Sequence, residues 1–225
     1  MLVDEKSLIL ILYSRPSVGY QPEGVAVLGG KVYVANSGGY NWVHDNRISV
    51  VDLASFKLEK NIELPFANLN HLLSDGSNLW VNSYGESSWS QDEAGNWIQA
   101  MSTPQSLARV TPAGDVFVVE GAHSSMIALG GGYLFSIGNL MEMEGETLYV
   151  LETYNTDGGI IAQNYLAADL SYPYSIAVNP SGLEIFISDA SFTGGSKVFC
   201  IPGGSSSKRW SVETGVGTGK MLIRQ

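Results

Sequence analysis

The sequence predicts an all-β fold built from repeated four-stranded antiparallel sheets, and three observations carry that prediction. Residues 22–64 hold four runs in which apolar and polar side chains alternate: GVAVL, KVYVA, RISVVDL and KLEKNIEL. Alternation is the period of a half-buried strand, and four such runs joined by turns make an antiparallel meander. The plan then recurs. The second strand, KVYVANS, returns as NLWVNSY, GYLFSIG and EIFISDA, which sets Tyr33, Trp80, Leu134 and Phe186 in register roughly every 50 residues, the period of a propeller array stretched by loop insertions. Third strands recur as ISVVD, LARVT, LYVLE and VFCIP. Finally, charged residues are only 15% of the 225 and glycines number 26, a composition of sheets and tight turns with no long helix-period run.

The chain reads in order as a strand at 8–13 (LILILY), repeats at approximately 22–64, 67–120, 124–167 and 173–214, and a last strand at 219–225 (GKMLIRQ). The whole is expected to be one β-propeller domain with about four blades of four strands. Single sheets cannot bury both faces alone, so each blade needs neighbours. Four blades with incomplete ends suggest the C-terminal arc of a longer ring, the alternative being a small ring that LILILY and GKMLIRQ close. The hydrophobic content of 44% is ample for a core.

Bulk properties narrow the function. A net charge of −10 leaves no basic stripe to replace phosphate counterions, which argues against nucleic acid as a partner. No span of about 20 apolar residues crosses a membrane as a helix. LILILY follows Asp4 and Glu5 and precedes no small-residue cleavage site, so it does not read as a signal peptide. The single cysteine, Cys200, alternates with apolar residues in VFCIP and reads as a buried side chain without a disulfide.

Loop lengths point to a binding face. In a meander the connections alternate between the two ends of the sheet. One end collects short Gly, Asp, Asn and Pro turns such as LGG, SDGSN, GGG and NPSG. The other collects the long connections at 37–45, 83–105, 138–145 and 189–196, with the crossings at 65–68, 121–124 and 167–173. Large aromatics in such loops are not needed for sheet packing and make flat contacts for a ligand. The candidate ligand-binding residues are therefore Tyr40, Trp42, His44, Tyr84, Trp89, Trp97, Asn139, Tyr172 and Phe192; the alternative is that the aromatics fold back as lids over the blade edges. MEMEGE at 141–146 reads as an exposed loop.

Catalytic patterns are weak. Ser205, Ser206, Ser207 and Lys208 form an S-x-x-K string, but in a Gly-Gly hairpin turn and without its usual partner motifs. His44, His71 and His123 are isolated from one another, and no metal-ligand spacing occurs. Glu23, Asn70, Asn179 and Asp189 could offer oxygens to an axial Ca²⁺, yet their spacing is no motif and they read first as edge and turn residues. The expectation is a non-enzymatic protein with no cofactor and no metal.

The strings QPEGVAVLGGKVYVANSG and NRISVVDL resemble the YncE-like (YVTN-type) β-propeller repeat, and ETLYVLETYN, PYSIAVNPSG and IFISDASFTGGSKVFCIPGG resemble the variant found in Bacteroidetes surface lipoproteins. The resemblance covers residues 20–225. It implies a seven-bladed ring of which the N-terminal blades are missing here, a location at the cell surface or in the periplasm, and capture of a cobalamin-type small molecule (a corrinoid) beside an outer-membrane transporter protein. It assigns no site residue, since the matching strings are scaffold strands and a propeller hosts many functions. A protein-interaction scaffold and a lactonase-like metal-dependent hydrolase stand as alternatives.

Overall fold

The computed structural model describes residues 16–38, 43–143, 146–166, 170–181 and 183–223, and these residues form four four-stranded antiparallel sheets and one two-stranded ribbon. The first sheet is β1 (Pro22–Leu28), β2 (Lys31–Asn36), β3 (Arg47–Asp52) and β4 (Leu58–Glu63), paired in chain order. The second contains β5 (Leu69–Ser74), β6 (Leu79–Ser83), β9 (Ser106–Val110) and β10 (Val116–Val118). Between β6 and β9 the chain leaves the sheet as a hairpin, β7 (Glu86–Gln91) and β8 (Trp97–Thr103). The third sheet is β11 (Met126–Gly130), β12 (Tyr133–Met143), β13 (Glu146–Tyr154) and β14 (Ile160–Tyr165); the fourth is β15 (Pro173–Val178), β16 (Glu184–Asp189), β17 (Ser196–Pro202) and β18 (Trp210–Thr214). No helix among the described residues is long and apolar enough to cross a membrane.

The sheets stand face to face with their first strands innermost: β1 lies beside β5, β5 beside β11, and β11 beside β15. Gly24 makes the first of these approaches possible, because a Cβ there would meet the Asn70 carbonyl oxygen at 2.4 Å and the Leu72 nitrogen at 2.5 Å. Three apolar layers fill the gaps. Tyr33, Ile48 and Val50 meet Leu72, Leu79 and Val81 between the first two sheets. Trp80 and Leu107 meet Ile127, Leu134 and Tyr154 between the second and third. Met126, Phe135, Ile137 and Leu151 meet Ile185, Ile187 and Phe199 between the third and fourth. Burial on both faces is what the alternating strands need, and it follows directly from stacking sheets around their first strands.

Among the described residues no sheet closes on itself, and the sheets contact one another in chain order. The outward positions of β1 are left open: Val25 and Val27 are 58% and 55% exposed, whereas Ile127, on the same face of its own first strand but backed by the second sheet, is 4% exposed.

Three details differ from the sequence reading. Phe135, rather than Leu134, shares the sheet face of Tyr33, Trp80 and Phe186: the β11–β12 turn uses Gly131 and Gly132, pairing Gly130 with Tyr133 and moving the register by one. Residues 139–143 are no loop, since β12 runs on past a bulge at Asn139/Met141 and pairs with the start of β13. Residues 219–223 are not a strand, although GKMLIRQ was expected to be one; Gly219 instead lies against the Tyr174 ring. The LILILY segment lies outside the described residues.

Candidate functional site

The ends of β2, β6, β12 and β16 and the starts of β5, β9, β11 and β15 lie at one end of the sheets, as their antiparallel registers require. At that end Tyr84, which directly follows β6, Asn139 in β12 and Tyr172 before β15 converge on one recess of ≈ 370 Å³. Gln105, Ser125, Tyr149 and Tyr174 complete its polar and aromatic lining. The recess thus joins the second, third and fourth sheets, and three of the residues expected from sequence meet in it.

Its aromatic wall is well organised. Tyr172 and Tyr174 stack with ring centroids 5.9 Å apart and planes 25° apart, and Phe192 meets both edge-on at 5.9 and 5.6 Å. Such offset and edge geometries suit the ring quadrupoles and hold the cluster together while the rings remain solvent-accessible. The strand start is fixed from below: Asp189 Oδ1 accepts the Ser171 and Tyr172 N–H groups at 2.9 and 2.5 Å, and the Tyr149 hydroxyl donates to the Ser171 carbonyl at 3.1 Å. Asp189 therefore positions Tyr172. Asn179, its partner in the axial cation considered from sequence, sits in the β15–β16 turn at the opposite end, where its Oδ1 accepts the Leu183 and Glu184 N–H groups. Glu23 accepts from the Gln21 amide at 2.8 Å. Among the described residues no three His, Cys, Asp or Glu side chains are placed to share an ion.

Toward the axis, His71 on β5 meets Tyr84 edge-on with centroids 6.4 Å apart. Burial pushes the His71 imidazole below its ordinary range, so it is neutral at pH 7, and its Nδ1 is buried with no hydrogen-bond partner. Burial also pushes the Tyr84 phenol up to about 12, with the neighbouring Tyr174 phenol and Glu23 carboxylate acting in the same direction. Both groups are thus held neutral, which favours an uncharged ligand surface at this wall.

Two further recesses continue along the same end. One of ≈ 410 Å³ shares Gln105 and Asn139 with the first and adds Glu120 and His123. The other, of ≈ 720 Å³, shares Pro104, Ser106 and Glu120 with the second and reaches His44, Phe66 and Glu86 beside the first sheet. His44 is carried there by a loop that Asp45 anchors: burial pushes the Asp45 carboxyl up, but Arg47, donating from Nε at 2.8 Å, Nη2 at 2.6 Å and its main-chain N–H at 3.0 Å, and the Arg47 charge together hold it below its usual range. Gln105 is pinned in turn, its Oε1 accepting the Asn139 N–H at 3.1 Å. Gly138 is the residue that permits this, since a Cβ there would strike the His123 carbonyl carbon at 2.3 Å and Gln105 Oε1 at 2.6 Å.

The remaining expected residues fall elsewhere. Tyr40 and Trp42 lie outside the described residues. Trp89 and Trp97 stand on one face of the β7–β8 ribbon, because Trp97 pairs with Gln91, two residues from Trp89. They are 56% and 68% exposed and line none of the three recesses; only the ribbon's base, Glu86 and Thr103, does. Sequence reasoning missed Gln105, His123, Tyr149 and Tyr174. Tyr174 had a signal in SYPYS, two tyrosines flanking a proline at a strand start, and a bulge between Pro173 and Ser175 brings it to the same mouth as Tyr172.

No protein-family model matches the chain, and no curated protein does. Solved structures do match. Luciferin-regenerating enzyme superposes with a TM-score of 0.54 at 13% identity over 88% of this chain and 64% of its own. The computationally designed Ika8 protein superposes with a TM-score of 0.58 at 10% identity, over 91% of this chain and 53% of its own. The chain therefore spans between about half and two thirds of these structures. At such identities the likeness shows the fold, and the four sheets are blades of a β-propeller-like arrangement.

Proposed function

We propose that the chain is a non-enzymatic ligand-binding propeller whose long-loop end takes up a flat, polar-edged small molecule. The observation that carries this reading is the recess where Tyr84, Asn139 and Tyr172 converge with Tyr174 and Gln105. Its volume of ≈ 370 Å³ falls within the usual range for ligand sites, about 300–1,000 Å³, and the combination of ring faces with a few amide groups is the usual lining of such sites. The aromatic walls offer stacking, and the amides of Gln105 and Asn139 can meet a polar edge. The corrinoid implied by the YncE-like resemblance is the finer version of this reading. A corrinoid ring would lie across the mouth and extend over the neighbouring recesses, and capture at the cell surface or in the periplasm beside an outer-membrane transporter belongs to that version.

Thermal-shift and calorimetric titration with cyanocobalamin, and with simple aromatic amides in parallel, test the reading. Binding is expected to weaken about 5- to 30-fold in each of Tyr84→Ala and Tyr172→Ala, the effect of removing an aromatic anchor worth about 1–2 kcal/mol. Response to aromatic amides alone would retain the ligand-binding reading and remove the corrinoid. No response to either class, or binding indifferent to both substitutions, would contradict it. The exposed pair Trp89 and Trp97 favours a second reading, a protein-binding scaffold, in which Trp89→Ala and Trp97→Ala release a partner while small molecules have no effect.

A further inference from the structure

The recess beside the tyrosine wall contains an imidazole held by a buried carboxylate. Glu152 on β13 is 1% exposed in its side chain and faces the gap between the second and third sheets. Four donors converge on it: the His123 main-chain N–H at 2.9 Å, His123 Nδ1 at 3.1 Å, the Tyr154 hydroxyl at 2.5 Å and Gln163 Nε2 at 2.8 Å. A carboxylate that takes four donors is an acceptor, so the shared proton sits on Nδ1. The two bonds from one residue, main chain and ring, fix the rotation of the imidazole as well as its tautomer. Nε2 makes no hydrogen bond within the described protein, and the His123 side chain is 28% exposed at the wall of the ≈ 410 Å³ recess. That recess shares Gln105 and Asn139 with the tyrosine recess, so the two form neighbouring compartments of one trough.

We propose that His123 is a ligand-contacting residue, whose Nε2 accepts a hydrogen bond from the amine, amide or hydroxyl arm of a molecule whose flat ring occupies the tyrosine recess. The inference rests on the ligand-binding reading above and adds its polar half. The sign of the neighbouring charge chooses the arm: Glu120 lines the same recess and Glu152 lies behind the ring, so a donor or cationic arm is favoured and a carboxylate is repelled. Holding the imidazole in advance spares the ligand the cost of ordering it, as a carboxylate partner does for histidines in metal and catalytic sites.

Two measurements test this on the intact chain. In ¹⁵N-labelled protein at pH 8, long-range ¹H–¹⁵N spectra are expected to show His123 as the Nδ1–H tautomer; the Nε2–H tautomer would overturn the proposal. Calorimetric titration then compares tryptamine, a ring with an ammonium arm, with indole-3-propionate, the same ring with a carboxylate. Tryptamine is expected to bind more tightly, to lose at least tenfold in His123→Phe, and to recover part of that loss in His123→Gln, which restores an acceptor. Indole-3-propionate binding should not respond to either change. Tryptamine binding that falls in Tyr172→Ala but stays within twofold of the parent in His123→Phe would overturn the role of His123 and leave the tyrosine recess standing. Failure of tryptamine to bind would overturn the proposed arm chemistry, and the tyrosine recess would still be judged by the cyanocobalamin and amide titrations.

Discussion

Replacing Trp80 by Ala is expected to lower the unfolding free energy by about 3–5 kcal/mol, read as a fall in the denaturation midpoint at an unchanged slope. The ring is fully buried in the layer between the second and third sheets, among Leu107, Ile127, Leu134 and Tyr154. It also ties the layer to a short turn, because Nε1 donates to Asp75 Oδ2 at 2.9 Å. Truncation therefore opens a large cavity and strips a carboxylate of a partner. Trp97→Ala, on the exposed ribbon, should change stability by no more than about 0.5 kcal/mol. Equal effects of the two substitutions would contradict the packing described.

Glu152→Ala is expected to cost a comparable amount, about 3–5 kcal/mol, for a different reason. Four donors converge on that carboxylate, and removing it leaves partly buried groups from β13, β14 and the crossing before β11 without an acceptor. Glu152→Gln keeps the shape and an acceptor oxygen, so it should lose clearly less. The same pair of variants has a spectroscopic signature: burial, the hydrogen bond to Glu152 and its charge all hold the Tyr154 phenol above its ordinary range, so neutralising residue 152 should move the Tyr154 titration downward. A Tyr154 titration that does not move would separate the two residues and remove the network.

The four sheets were legible because their strands alternate and because Gly, Asn and Pro mark the turns between them. The one-residue misplacement of Leu134 has a simple cause. The triplet 130–132 is all glycine, and three residues without side chains give no indication of which two make the turn. The β7–β8 ribbon falls within the long connection at 83–105 because ESSWSQ carries a single apolar side chain, Trp89, so a strand exposed on both sides has no apolar period to reveal it. The carboxylate network was hidden differently. In LYVLETY the charged residue occupies what looks like a solvent position, yet a blade in a stack has a neighbour on both faces, and Glu152 points into one of them. Of the site, the aromatic loop positions Tyr84 and Tyr172 were visible in sequence, whereas Gln105 and His123 join them only through pairing of distant strands.

The central claim is that the long-loop end, at the tyrosine recess, is where this protein binds its ligand. Soaking crystals of the protein with a set of flat aromatic amides and amines tests it most directly. The expected result is density stacked on Tyr172 or Tyr84 and within hydrogen-bonding reach of Asn139 or Gln105, recurring across chemically unrelated fragments. Fragments that avoid this recess and gather instead at the short-turn end of the sheets, or on the Trp89 and Trp97 face of the ribbon, would contradict it.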